Sequence, residues 1–219
     1  MVQQLIESSA SKGGAKIVLI SCSSIIALVI FILWQQQFSL AVALALIIAG
    51  LGLFTGWAKL SEPRYLVQLD DKGVRYYHRQ GSWLLPWSSF LYSGIPELNN
   101  NELAFIGFKV SQYDQFLQQL PLRLAVRIMT EQRTLYLDAV RQGCASGQCG
   151  LDSLSEVDNF VTTQQVYHGI KAAFGWRMQR LANSTGFELL IAINVSKDEA
   201  VTLCRTINTT RLQQLQGAN

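Results

Sequence analysis

Between Lys16 and Lys59 the chain carries no charge at all. The 42 residues from Ile17 to Ala58 contain no Asp, Glu, Lys, Arg or His. A buried helix pair in a water-soluble protein rarely goes so far without an ionisable side chain, whereas a bilayer core selects for it. The stretch divides in two. Ile17 to Trp34 reads IVLISCSSIIALVIFILW, and Leu40 to Trp57 reads LAVALALIIAGLGLFTGW. Each is about the 18 residues at which an apolar run is read as a spanning helix. Gln35-Gln36-Gln37-Phe38-Ser39 between them is long enough only to turn the chain back. Trp34 and Trp57 close the two runs, where an amphipathic ring prefers the interface.

Cations set the expected orientation. Lys12 and Lys16 precede the first run, Lys59 and Arg64 follow the second, and the short loop has none. Positive flanks stay in the cytoplasm, so both termini are expected there. Leu19-Ile20-Ser21-Cys22 resembles a lipoprotein cleavage box, but the apolar stretch after Lys16 is far shorter than the roughly 7–15 residues of a signal core. Cys22 is therefore read as a membrane-helix residue. Gly50, Gly52 and Gly56 in the second run, with Ser21, Ser23, Ser24 and Ala27 in the first, predict close packing of the two helices. With no ionisable group inside the spans, this chain alone offers no proton relay or charged transport path.

Beyond Ala58 charge returns at ordinary density, 16 Lys and Arg against 14 Asp and Glu. A tail of residues 1–16, a hairpin of residues 17–58 and a folded domain of residues 62–215 are expected. The net charge of +3 brings no basic run and no basic–aromatic interleaving, so nucleic acid is not an expected partner. The four cysteines, Cys22, Cys144, Cys149 and Cys204, form no disulfide framework and suit a reducing compartment.

The domain opens on short strands in an antiparallel meander: Tyr65 to Leu69, Val74 to Arg79, Ser82 to Trp87, one within Phe90 to Ile95, and Leu103 to Val110. Asp71-Lys72-Gly73 and Gln80-Gly81 supply turns, and Asn99-Asn100-Asn101 a loop. A helical insert of about residues 111–185 follows. Ser111 with Asp114 predicts one capped start, and Pro121 opens a longer helix to Gly143 with Leu124, Ala125, Ile128, Leu135 and Ala139 on its apolar stripe. After a Gly/Ser-rich loop from Cys144 to Ser155, Val166, Ile170, Phe174, Met178 and Leu181 predict a helix over Thr163 to Ala182. Phe187 to Asn194 reads as a late strand. Ser196 and Glu199 form a capping box before a final helix to about Leu215, with Ala200, Leu203, Cys204 and Ile207 inward.

Two of these segments, Gly81-Ser82-Trp83-Leu84-Leu85-Pro86-Trp87 and Ala104-Phe105-Ile106-Gly107-Phe108-Lys109-Val110, make the meander similar to bacterial PH-like domains. The order of hairpin, meander, helical insert, strand and helix over residues 15–215 resembles an uncharacterised bacterial inner-membrane family, a domain of unknown function. The resemblance implies an α+β fold: a transmembrane helical hairpin, then a PH-like meander with a helical insertion and a capping C-terminal helix. It carries no catalytic residues to transfer.

Candidate chemistry is sparse. Cys144 and Cys149 are a possible thiol or metal pair, but four intervening residues are not the two of a redox motif. Two further ligands would be needed for zinc, and His78 and His168 lie in no ligand pattern. Neither histidine has an evident orienting partner for general-base work. Asp70 and Asp71 beside Lys72-Gly73 read as turn residues. Arg64, Arg75 and Arg79 are the candidate surface for lipid headgroups or a partner, with Lys59 a topology determinant. Trp83 and Trp87 are expected in the core, Trp87 beside Leu203 or Ile207. The expectation is a non-enzymatic binding or scaffold module without catalytic residue, metal or cofactor, held at the cytoplasmic face of the inner membrane with the bilayer and an unidentified protein as partners. The alternatives are an accessory subunit of a larger membrane complex, or a thiol redox or metal-binding protein.

Overall fold

The computed structural model describes residues 4–7, 13–35, 39–61, 65–143, 159–193 and 195–217. The chain forms two compact units, Glu7–Leu66 and Met1–Ile6 with Val67–Asn219.

The first unit is the apolar hairpin. Helix α1 spans Gly14–Gln35 and α2 spans Leu40–Leu60. Ser39 starts α2 by accepting the Val42 N–H on its hydroxyl, an N-cap. Their seam is made of small groups spaced by seven: Gly14 and Ser21 on α1, and Val42, Ala49 and Gly56 on α2. A seven-residue repeat keeps one stripe of each helix facing the other. A Cβ on Gly52 would lie 2.5 Å from Ser21 Oγ, and one on Gly56 would lie 2.7 Å from Val18 Cγ2. Close packing was therefore legible, but not every small residue takes part. Gly50 faces open space, Ala27 is exposed, and Ser23 and Ser24 are exposed, each hydroxyl bonded to the Ile20 carbonyl.

The second unit is α+β. Strands β1 (Gln4–Glu7), β2 (Tyr65–Leu69), β3 (Gly73–His78) and β4 (Gly81–Pro86) form one sheet in that order. Pairing is antiparallel from β2 to β4, with Val67 opposite Tyr76 and Tyr76 opposite Trp83. The β2–β3 turn closes on Asp70, whose Oδ1 accepts the N–H groups of Lys72 and Gly73. Val67, Leu69, Val74, Trp83 and Leu85 share the buried face.

The meander does not continue into β5. Strand β5 (Phe90–Gly94) belongs to a second sheet, as do β8 (Phe105–Val110) and β11 (Leu189–Ala192), in the order β11-β8-β5. The chain turns this corner at Trp87-Ser88-Ser89, where the Ser89 N–H reaches the Pro86 carbonyl at 3.0 Å. Between β5 and β8, β6 (Glu97–Leu98) and β7 (Asn101–Glu102) make a small hairpin. Asn99 and Asn100 turn it with φ of 53° and 61°, left-handed values that asparagine tolerates. Trp83 joins the two sheets, its ring 5.8 Å and edge-on from Phe108, and 5.6 Å from Phe116.

The helical insert departs from the periodicity. Helix α3 (Tyr113–Gln119) begins without a side-chain cap, because the Ser111 hydroxyl is drawn to the Ser89 carbonyl at 3.1 Å. The helix expected from Pro121 to Gly143 is two, α4 (Leu122–Glu131) and α5 (Arg133–Gly143). They break at Gln132, whose amide is pulled inward: Nε2 donates to the Leu190 carbonyl at 2.9 Å and Oε1 accepts from Arg177 at 2.7 Å. The helix expected from Thr163 begins later. Strands β9 (Asn159–Val161) and β10 (Val166–His168) form a hairpin first, and α6 runs Gly169–Thr185. Val166 is thus an exposed strand residue and Ile170 is exposed, while Phe174, Met178 and Leu181 are buried as expected. Gly186 ends α6 in the left-handed conformation at φ 82°, a C-terminal stop.

Helix α7 (Lys197–Gly217) starts with the expected capping box: the Ser196 N–H reaches Glu199 Oε2 at 3.1 Å, and the Glu199 N–H reaches Ser196 Oγ at 3.3 Å. Ala200, Cys204 and Ile207 are buried and Leu203 is half-buried. Trp87 is also buried, but its partners are the Phe90 ring at 5.8 Å and the Asp70 carbonyl, which accepts its indole N–H at 2.8 Å.

Candidate functional site

The outward surface of the hairpin is almost wholly apolar. Trp34 is 86% exposed, Leu19 70% and Ile48 69%. A soluble core helix turns such residues inward, and these two turn them out. Both are long and apolar enough to cross a membrane. Lys59 is exposed in the last turn of α2.

Of the three arginines singled out in the sequence, Arg64 lies outside the described residues, as do Cys144 and Cys149. Arg75 and Arg79 lie four residues apart along β3 and its turn; Arg75 is half-buried and Arg79 is exposed. Arg75 Nε stands 4.0 Å from Asp70 Oδ2, so one cation is shared with a turn carboxylate. Arg79 is engaged in an interaction of its own.

The histidines are held in place. His78 Nδ1 accepts the Gln80 N–H at 3.2 Å, which leaves Nε2 to donate to Glu131 Oε2 at 3.2 Å. Glu131 is also gripped by Arg127 Nε at 2.6 Å. His168 Nδ1 sits 2.6 Å from Asn159 Oδ1, across the β9–β10 pair. Cys22 is half-buried and Cys204 buried, both free thiols. Burial pushes the Cys204 thiol up, against a smaller opposite effect of the Ser93 hydroxyl. Among the described residues no group of three His, Cys, Asp or Glu is placed to hold a metal ion.

Three buried polar clusters escaped the sequence reading. Glu188 is 3% exposed and has its oxygens committed: Lys109 Nζ lies at 3.0 Å, the Val110 N–H donates at 2.8 Å and the Tyr113 hydroxyl at 3.4 Å. Burial, and then the Glu188 charge, push the Tyr113 phenol well above its ordinary range. Asp114 is buried beneath the β9–β10 hairpin and accepts the hydroxyls of Thr162 and Tyr167. Arg177 is buried against the Tyr136 ring, 5.2 Å from its centroid, with Gln132 as hydrogen-bond partner. Burial lowers its guanidinium to about 10, so it stays charged at neutral pH. The available signal was a charged residue inside an apolar run, Glu188 before Leu189-Leu190-Ile191 and Arg177 beside Met178. Each cluster ties elements together: Glu188 joins α3 to β8, Asp114 joins α3 to the β9–β10 hairpin, and Arg177 joins α6 to the α4–α5 break.

Fold and surface together define a class: an α+β domain carried behind a pair of apolar helices of membrane-spanning length. The particular family follows from the domain itself. Residues 67–213 match the model of the family described as Protein of unknown function (DUF2982), and the chain belongs to that family. No curated protein and no solved structure matches the chain.

Proposed function

We propose that this chain is a non-enzymatic binding or scaffold module of PH-like type, anchored by its helical hairpin in the inner membrane of a bacterium. Its domain and both termini lie on the cytoplasmic side, and it serves a membrane or cytoplasmic protein partner, or lipid headgroups. The observation that carries the reading is the place of β1. This strand precedes α1, β2 follows α2, and the two are neighbours in one sheet. A chain that leaves a sheet, passes through two spanning helices and returns to the same sheet has crossed the bilayer an even number of times. The cation bias then supports the cytoplasm as that side. The committed buried clusters favour binding over catalysis, since a general acid or base needs a titratable group open to substrate. Fold alone does not name the partner.

A reporter active only in the periplasm tests the topology. It is expected to be silent when fused at Asn219 and active when placed between Gln35 and Ser39. A strong periplasmic signal from the C-terminal fusion overturns the reading. In-cell crosslinking with mass spectrometry then identifies the partner.

A further inference from the structure

We propose that the outer face of α4, with the β3–β4 turn beneath it, docks on the headgroups of an anionic bilayer, the same membrane that the hairpin enters. The inference rests on the anchoring reading above and adds a second contact to it.

Helix α4 buries one side and leaves an unusual mixture on the other. Leu124, Ala125 and Ile128 point into the core. Leu122 and Val126, one turn apart, are 50% and 42% exposed. Arg123 and Arg127, also one turn apart, are exposed beside them. Two adjacent rows, one aliphatic and one guanidinium, thus run along the same surface of the helix. Arg123 makes no ion pair among the described residues, and the Arg127 side chain stays 48% exposed while pairing with Glu131. Facing water, the aliphatic row gains nothing. At a lipid surface it enters the acyl boundary while the arginines meet phosphates, as interfacial amphipathic helices do.

Position within the domain supports this partner. Helix α4 is seated on the β3–β4 turn: Glu131 bonds His78, and a Cβ on Gly81 would lie 4.0 Å from Leu124 Cβ. That turn is at the end of the sheet where the chain arrives from the hairpin. The register Val67 opposite Tyr76 runs on toward Tyr65 and His78. Tyr65, the first residue of β2, follows the α2 cap Ser61 after residues 62–64. Four extended residues reach about 14 Å at most. The end of the sheet that carries α4 is therefore the end that the chain joins to α2 through residues 62–64, and it adds arginines to the one in the turn, Arg79. Their charge suits an anionic leaflet, which attracts basic segments near the membrane.

The test uses the full chain in lipid nanodiscs, with the photo-crosslinking side chain of Val126→benzoylphenylalanine as probe. Phosphatidylglycerol-containing discs are expected to give lipid adducts at position 126, and pure phosphatidylcholine discs several-fold fewer. Arg123→Gln is expected to lower the yield roughly fivefold, the ratio for one cation at an anionic surface, and Arg123→Lys to restore most of it. A melting midpoint unchanged by Arg123→Gln separates lost docking from lost folding. No adduct at 126, or equal adducts in both lipids, overturns the docking face while anchoring by the hairpin stands. A protein adduct in place of lipid in native membranes overturns it in favour of a protein partner. A chain that does not integrate into discs at all overturns the anchoring reading and this proposal with it.

Discussion

The side-chain amide of Asn208 pairs with the backbone of Ser93 as a neighbouring strand would. Its Oδ1 accepts the Ser93 N–H at 2.8 Å and its Nδ2 donates to the Ser93 carbonyl at 2.9 Å. Strand β5 is an edge of its sheet, and unpaired edges invite pairing with other chains. Helix α7 covers this edge, with Arg211 Nε reaching the Phe90 carbonyl at 2.7 Å and the Ser93 hydroxyl reaching the Cys204 carbonyl at 3.2 Å.

Asn208→Ala removes both bonds and leaves a donor and an acceptor of β5 without partners. The expected loss is about 1–3 kcal/mol. Asn208→Asp keeps the acceptor for the Ser93 N–H but sets a carboxylate oxygen against the Ser93 carbonyl, so at neutral pH it is expected to rescue little of the alanine loss. Thermal unfolding of the detergent-solubilised chain measures both; an alanine variant as stable as wild type contradicts the edge-capping role.

Phe187 lies over two cross-strand partners, Gly94 and Gly107. A Cβ at Gly107 would sit 2.4 Å from the ring Cγ of Phe187. Gly107→Ala is therefore expected to cost about 1–3 kcal/mol through overpacking. In a Phe187→Ala background the same change is expected to cost far less, a positive coupling that a double-mutant cycle reads. Additive effects would mean that the ring and the glycine do not meet.

Trp87 combines a buried ring with a hydrogen bond to the Asp70 carbonyl. Trp87→Ala is expected to cost about 3–5 kcal/mol, a large part of a domain stability of about 5–15. Trp87→Phe keeps a smaller aromatic ring in the core but orphans the carbonyl, and should fall between. If alanine barely moves the midpoint yet abolishes capture of a partner or of vesicles, the indole is a binding group and not a core one.

Strand β1 is expected to protect the edge of β2. Deleting residues 1–7 should leave the domain folded, speed hydrogen exchange across Tyr65–Leu69, and raise self-association at high concentration. Exchange mass spectrometry in which the β2 amides are unchanged by the deletion would sink the pairing, and with it the main structural support for both ends lying on one side.

The two apolar helices and the Ser196–Glu199 box were legible because each is a local pattern: a charge-free run, a spacing of three. The buried places of Trp83 and Trp87 followed from residue type in short strands. Candidate arginines could be named but not their company, since the pairing of Arg75 with Asp70 depends on how a turn folds back. Tertiary structure alone decided the rest. It split the meander at Ser88-Ser89, broke a periodic helix at Gln132 by drawing its amide to Leu190 and Arg177, and made a hairpin of 159–168 where apolar spacing suggested a helix. It also placed Glu188 beside Lys109 and Tyr113, and Asn208 beside Ser93. The physical reason is range. Periodicity and capping act within a few residues, whereas a buried polar group takes whatever donor or acceptor the fold brings to it, here from 75 to 115 positions away for Glu188 with Tyr113 and Asn208 with Ser93.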